Sequence, residues 1–164
     1  MPVTANNLGS ASGLTNGITR EYSVASGVTV HDREFVYINA DGRVSSASID
    51  GLRLLGSVVG GDTQNLDRNY SGSATGNADG TVRVLVNIDP EERYLLKNDN
   101  VATTFVAAHV GDYFDITGSA SNQLVDTSTV GATGQLVCLR FNPGIRGTDS
   151  TYGIFRIAEY QLEL

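Results

Sequence analysis

His31-Asp32-Arg33-Glu34 sets an imidazole beside two carboxylates within four residues, the combination from which a general base and its orienting acid are built. The other histidine, His109, is followed by Asp112 and Asp115, donors a metal could use but without the spacing of a zinc helix such as HExxH. The tetrapeptide Asn-Ala-Asp-Gly occurs twice, at Asn39–Gly42 and Asn77–Gly80, and offers oxygens of the kind that hold calcium. Glu91-Glu92 supplies adjacent carboxylates after Pro90, and Cys138 is a lone thiol.

Each candidate has a plainer reading in its surroundings. A calcium loop of the EF-hand type needs glycine at its sixth position, where the two copies carry Val44 and Val82. An early Asn or Asp and a final Gly instead suit a type I turn closed by a left-handed residue, the turn of a short hairpin. His31–Glu34 lies between the apolar runs VTV and FVYI, so it reads as the exposed turn of another hairpin. His109 reads as a polar strand entry, with Asp115 on the opposite face from Phe114 and Ile116. Glu91-Glu92 reads as a solvated turn rather than a glycosidase pair. Cys138, within QLVCLRF, reads as a small structural apolar residue.

No GxSxG elbow, P-loop or GxGxxG is present, and Ser73 in GSATG falls one position short of the elbow. Asn69-Tyr70-Ser71 is a formal glycosylation sequon, relevant only to a secreted chain. No catalytic, cofactor-binding or metal-ligating residue is assigned, and no cofactor is expected.

The elements that carry these residues are short. The 164 residues suffice for one domain without a second core. A charged fraction of 18% with 19 glycines and many Val, Ile, Tyr and Phe suits a turn-rich β protein. Ten strand-like runs follow Arg20, from REYSVA to GIFRIAEYQL. The clearest is Thr81–Ile88, where Val82, Val84, Val86 and Ile88 share one face and Leu85 interrupts the other. VATTFVAAHV holds the best helical candidate, about one turn. The pattern predicts an all-β fold, a single-domain β-barrel or β-sandwich over residues 21–164. Residues 1–20 read as a flexible arm, and Gly60–Gly80 as a long Gly/Asn/Ser-rich loop of the kind that is functional or disordered. Apart from the tetrapeptide, no tandem repeat is visible.

A net charge of -7, with Lys97 the only lysine, gives no clustered positive surface for nucleic acid. The N-terminus lacks a basic and apolar leader, no run approaches a membrane span, and one cysteine cannot form an intrachain disulfide. These features point to a soluble product of a reducing cytosol.

The succession GTVRVLVNIDP, VGDYFDITG, LVDTS and the closing GIFRI resembles the small head proteins of tailed bacteriophages, in particular the capsid decoration or cement proteins. The likeness runs from about Ser26 to Leu164. It implies a non-enzymatic virion protein made in the host bacterial cytoplasm. Such a protein sits on the capsid exterior at junctions between major capsid protein subunits and is often a homotrimer, with no nucleic acid or membrane partner. Two regions are expected to bind, the arm and the Gly60–Gly80 loop. The rival readings are a head-fibre or tail-associated protein that binds host glycans, a solitary carbohydrate-binding β-sandwich, and a small hydrolase using His31 or His109.

Overall fold

The computed structural model describes residues 7–10, 18–47, 52–60, 73–100, 104–118, 122–141, 151–159 and 161. Among the described residues there are thirteen strands: β1 (Asn7–Ser10), β2 (Thr19–Ser23), β3 (Thr29–His31), β4 (Phe35–Ile38), β5 (Val44–Ser46), β6 (Gly56–Gly60), β7 (Ser73–Thr75), β8 (Arg83–Asn87), β9 (Tyr94–Lys97), β10 (Tyr113–Thr117), β11 (Leu124–Gly131), β12 (Leu136–Phe141) and β13 (Tyr152–Ile157). The only helix among the described residues is a 3-10 turn, Ala107–His109, inside the run that reads as one helical turn.

Every one of the ten strand-like runs holds a strand. β8 shows why: Val84 and Val86 are fully buried, Val82 and Ile88 pack beside them, and Leu85 faces outward, 39% exposed. The expected arm contains β1, which pairs with β9, and the start of β2. Residues 1–6 and 11–17 lie outside the described residues. The expected long loop is shortened by β7, which pairs with β3, while residues 61–72, with the sequon, also lie outside the description.

The strands form a six-stranded sheet, β1-β9-β13-β12-β10-β11, a five-stranded sheet, β2-β8-β6-β4-β5, and a ribbon, β3-β7. All named ladders are antiparallel. Both large sheets curl. Val24, just past β2, makes a parallel bridge to Val44 of β5, and Asn98, just past β9, makes one to Val125 of β11. Each closure is one residue pair, so neither sheet is a closed barrel, and the fold is an all-β sandwich.

Two apolar clusters fill it, where composition required only one core. The first gathers Phe105, Phe114, Phe155 and their neighbours inside the six-stranded sheet, and the second gathers the valines inside the five-stranded sheet. β4 joins them, because successive side chains point to opposite faces: Phe35 and Tyr37 enter the first cluster, Val36 and Ile38 the second. The Phe35 and Tyr94 rings meet edge to face at 4.8 Å across this joint.

A strand buried on both faces must satisfy its backbone without water. Neighbouring strands end before β4 does, and glutamine side chains complete the ladder. Gln123 Oε1 accepts the Phe35 N–H at 2.6 Å, and its Nε2 donates to the carbonyls of Phe35 at 3.0 Å and Ala47 at 2.9 Å. Gln161 does the same for Ile38, accepting at 2.6 Å and donating at 2.7 Å. Gln135, fully buried, accepts from Ile116 N–H at 2.9 Å and donates to Leu52 C=O. The tail of β13 adds main-chain bonds, Leu54 N–H to Glu159 C=O and Gln161 N–H to Leu54 C=O.

Truncating Gln123 to alanine strands one buried donor and leaves two carbonyls short of a partner, each such loss costing about 1–3 kcal/mol. Gln123→Ala is therefore expected to lower unfolding free energy in urea by at least about 2 kcal/mol. A change below about 0.5 kcal/mol, the level of an ordinary surface substitution, would count against these bonds holding the sheets together.

Candidate functional site

The residues singled out by chemistry fall at turns, and the structure ties most of them to the main chain. The first Asn-Ala-Asp-Gly is a hairpin turn between β4 and β5, as expected. Asn39 Oδ1 accepts the N–H groups of Asp41 at 3.0 Å and Arg43 at 3.1 Å, Gly42 N–H donates to Asn39 C=O, and Gly42 has φ 72°. The second copy makes the same turn, with Gly80 N–H on Asn77 C=O and Gly80 at φ 67°. It is not a hairpin, however, because β7 and β8 belong to different sheets. The two copies are linked: Arg43 donates from Nη1 to Asn77 C=O at 3.1 Å and from Nη2 to Ala78 C=O at 3.0 Å. A guanidinium fills the role a cation would take in a ligand loop.

His31–Glu34 also departs from the hairpin expectation, since β3 pairs with β7 while β4 pairs with β5 and β6. Its acid does not splay into water. Glu34 is buried, and its Oε2 accepts the His31 backbone N–H at 2.7 Å and faces His31 Nδ1 at 3.2 Å. Its Oε1 accepts the Ser46 hydroxyl. A buried carboxylate needs such partners, and Ser46, twelve residues away, could not be foreseen from the sequence. Burial raises the Asp32 carboxyl above its ordinary value, against the pull of the Arg33 guanidinium and N–H. The turn is closed by Glu34 N–H on His31 C=O with Arg33 at φ 66°, the one left-handed residue other than glycine among the described residues.

This geometry holds a turn rather than arming a nucleophile. A serine nucleophile needs an imidazole as proton acceptor, whereas Ser46 spends its hydrogen bond on a carboxylate and His31 lies on the carboxylate's other oxygen.

His109 ends the 3-10 turn, where its Nδ1 accepts the Val106 N–H at 3.3 Å and its ring stands edge-on to Phe114 at 5.8 Å. Asp112 N–H donates to His109 C=O. Asp115 faces away from Phe114 and Ile116, as its alternation predicts, and its Oδ1 accepts Gln135 N–H at 3.2 Å. Among the described residues no three His, Cys, Asp or Glu side chains form a cluster able to hold a metal. Of the glutamate pair, Glu91 is exposed near Arg156, but Glu92 is buried on Asn87 Nδ2 at 2.9 Å and is not a solvated residue.

Cys138 is buried in the first cluster. Burial pushes its thiol up to about 11; the Arg140 N–H opposes that shift and Asp112 adds to it.

No family model, curated protein or solved structure compared with the chain matches it. What the described geometry defines is an all-β sandwich whose polar side chains fasten its turns.

Two measurements test this reading. Glu34→Leu strands the His31 N–H and the Ser46 hydroxyl and is expected to cost about 2–4 kcal/mol in denaturant unfolding. Ser46→Ala, which leaves the backbone contact, should cost about 1 kcal/mol. Equal small losses would show that Glu34 fastens nothing. For Cys138, the unfolded thiol ionises near 9.0 while the folded one stays protonated to about 11, so the folded state binds more protons between those values. Stability should fall as pH rises through that window, by up to about 1.4 kcal/mol per unit. The fall should be shallower in Cys138→Ala, and parallel curves for the two chains would refute the shift.

Proposed function

We propose that this chain is a non-enzymatic virion structural protein that binds the outside of a bacteriophage capsid. It stabilises the shell at junctions between major capsid protein subunits, and it acts as a homo-oligomer, most simply a trimer. The resemblance of its strand succession to capsid decoration proteins motivates this reading.

The observation that carries it is the outward placement of large aliphatic side chains on a fixed framework. Ile18, Val59 and Leu85 are exposed on the five-stranded side, and Val106, Val110 and Val130 on the six-stranded side. Leu85 is flanked by the Arg83–Glu21 ion pair at 3.0 Å. Val59, Leu85 and Val130 project from strands, and Val106 and Val110 flank the 3-10 turn. Outward aliphatics on such a frame suit broad adhesion, and modest contacts repeated over a lattice add up to avidity. The negative charge keeps such a surface soluble before it docks.

The test is to add the purified chain to shells that lack it, then image them and measure the temperature at which they rupture. Occupancy at regular lattice points with a raised rupture temperature is the expected result, and a Val59→Asp, Leu85→Asp double variant should occupy fewer sites. A folded chain that leaves the shells bare overturns the proposal.

A further inference from the structure

Apart from β1, the two large sheets share one strand order. Taken in chain order, β2, β4, β5, β6 and β8 assemble as first-fifth-fourth-second-third, and β9, β10, β11, β12 and β13 assemble in the identical order. Third and first strands then meet at a parallel bridge in each, Val24 with Val44 and Asn98 with Val125. In both, the residue after the bridge donates to the bridged carbonyl at 2.9 Å: Ala25 to Val44, and Asp99 to Val125.

The agreement extends to single residues once Val58 is set on Cys138. Arg33 N–H donates to Val58 C=O at 2.7 Å, and Gly111 N–H to Cys138 C=O at 2.8 Å. Val58 N–H returns to Glu34 C=O at 2.9 Å, and Cys138 N–H to Asp112 C=O at 3.0 Å. The preceding turns close alike, Glu34 on His31 and Asp112 on His109, with left-handed Arg33 and Gly111 at the same position. A bulge follows in each fourth strand, between Val58 and Gly60 against Val86 and Leu85, and between Cys138 and Arg140 against Phe155 and Ile154. β-bulges are placed features rather than noise, so strand order, bridge, turn and bulge are four separate agreements.

We infer that the chain is an internal duplication: two copies of one five-stranded unit, about residues 18–88 and 93–157, stacked head to tail. The first copy's outward β4–β5 face is the docking surface for the second. That face is apolar in the first copy, where Phe35 and Ala47 are fully buried in the joint. The register places Tyr113, Asp115 and Asp126 where the first copy has Phe35, Tyr37 and Ser45. The end of the second copy that receives the face carries Gln123, Gln135 and Tyr94; the equivalent positions in the first are Gly42, Leu55 and Arg20. At these positions the first copy has no amide with which to receive a preceding unit, and the second has two carboxylates, Asp115 and Asp126, where a following unit would need an apolar surface. The stack therefore stops at two, as repeat arrays do when a terminal unit has a polar outer face.

Amide hydrogen exchange on the full-length chain, read residue by residue by NMR, tests the duplication. The pairs Ala25 and Asp99, Arg33 and Gly111, and Val58 and Cys138 are expected to be protected together, at least a hundredfold over an open chain in both members. One member of a pair exchanging at the open-chain rate overturns it. A reciprocal swap guards against a general loss of structure: in Arg33→Gly and in Gly111→Arg the amides of residues 33 and 111 stay protected if the turns are equivalent, and loss of protection at the substituted turn alone refutes equivalence. Sedimentation over a hundredfold concentration range tests the stop. A monomer or one closed oligomer is expected, and an open-ended series of sizes would overturn it, whether or not the chain binds shells.

Discussion

At its start, Phe35 and Val36, β4 is buried on both faces, and that constraint governs the joint between the sheets. A backbone N–H or C=O buried without a partner costs kilocalories, so wherever β5 and β6 stop short, something else must supply a ladder. Gln123 and Gln161 do so with primary amides, each presenting one acceptor and donors at the spacing of a neighbouring peptide group. A side-chain amide pairs with a given residue's N–H and C=O in one register only. The joint between the sheets is therefore fixed by hydrogen bonds as well as by the fit of Phe35 against Tyr94.

Curling serves a related need. An open five-stranded sheet exposes two edges of unpaired backbone, which invite pairing with other chains. Bending brings the two edge strands of the five-stranded sheet together at Val24–Val44, whereas in the six-stranded sheet β1 covers β9 and Asn98, past the end of β9, meets Val125 of the edge strand β11. The bulges beside Val59 and Leu139 supply the extra twist that such bending needs. Apolar residues line the inside of each curl, and the small glycine at Gly153, where the first copy has Val84, leaves room beside the Phe155 ring. Different side chains thus fill the same frame.

Period-two alternation made the long strands legible: Val82, Val84, Val86 and Ile88 lie inward as written, and Leu85 outward. The strands it hides are β1 (Asn-Leu-Gly-Ser) and β7 (Ser-Ala-Thr), too short to show alternation, whose strand character comes from β9 and β3, distant in sequence. Polar letters misled for the same reason. Glu34 and Glu92 look solvated because nothing in the sequence announces Ser46 or Asn87 as their partners, and the bridging glutamines sit in strand-like runs that do not show which main-chain groups they bind. The duplication is hidden more thoroughly, since its shared bonds are between backbone groups and leave no mark on side-chain type. Its one trace is histidine, two residues, an acid and an aromatic ring, written His31-Asp32-Arg33-Glu34-Phe35 and again His109-Val110-Gly111-Asp112-Tyr113.

That trace changes what the reactive-looking residues mean. His31 and Glu34 stand at a turn whose equivalent carries His109 and Asp112 in a different surrounding, with the thiol of Cys138 in place of Val58. What the two turns share is the left-handed residue and its two main-chain bonds to the fourth strand. The side chains vary around that clasp: Glu34 reaches Ser46 and the His31 N–H, while His109 Nδ1 takes the Val106 N–H. One structural cause, a main-chain clasp that stiffens the curl of each sheet, accounts for both turns.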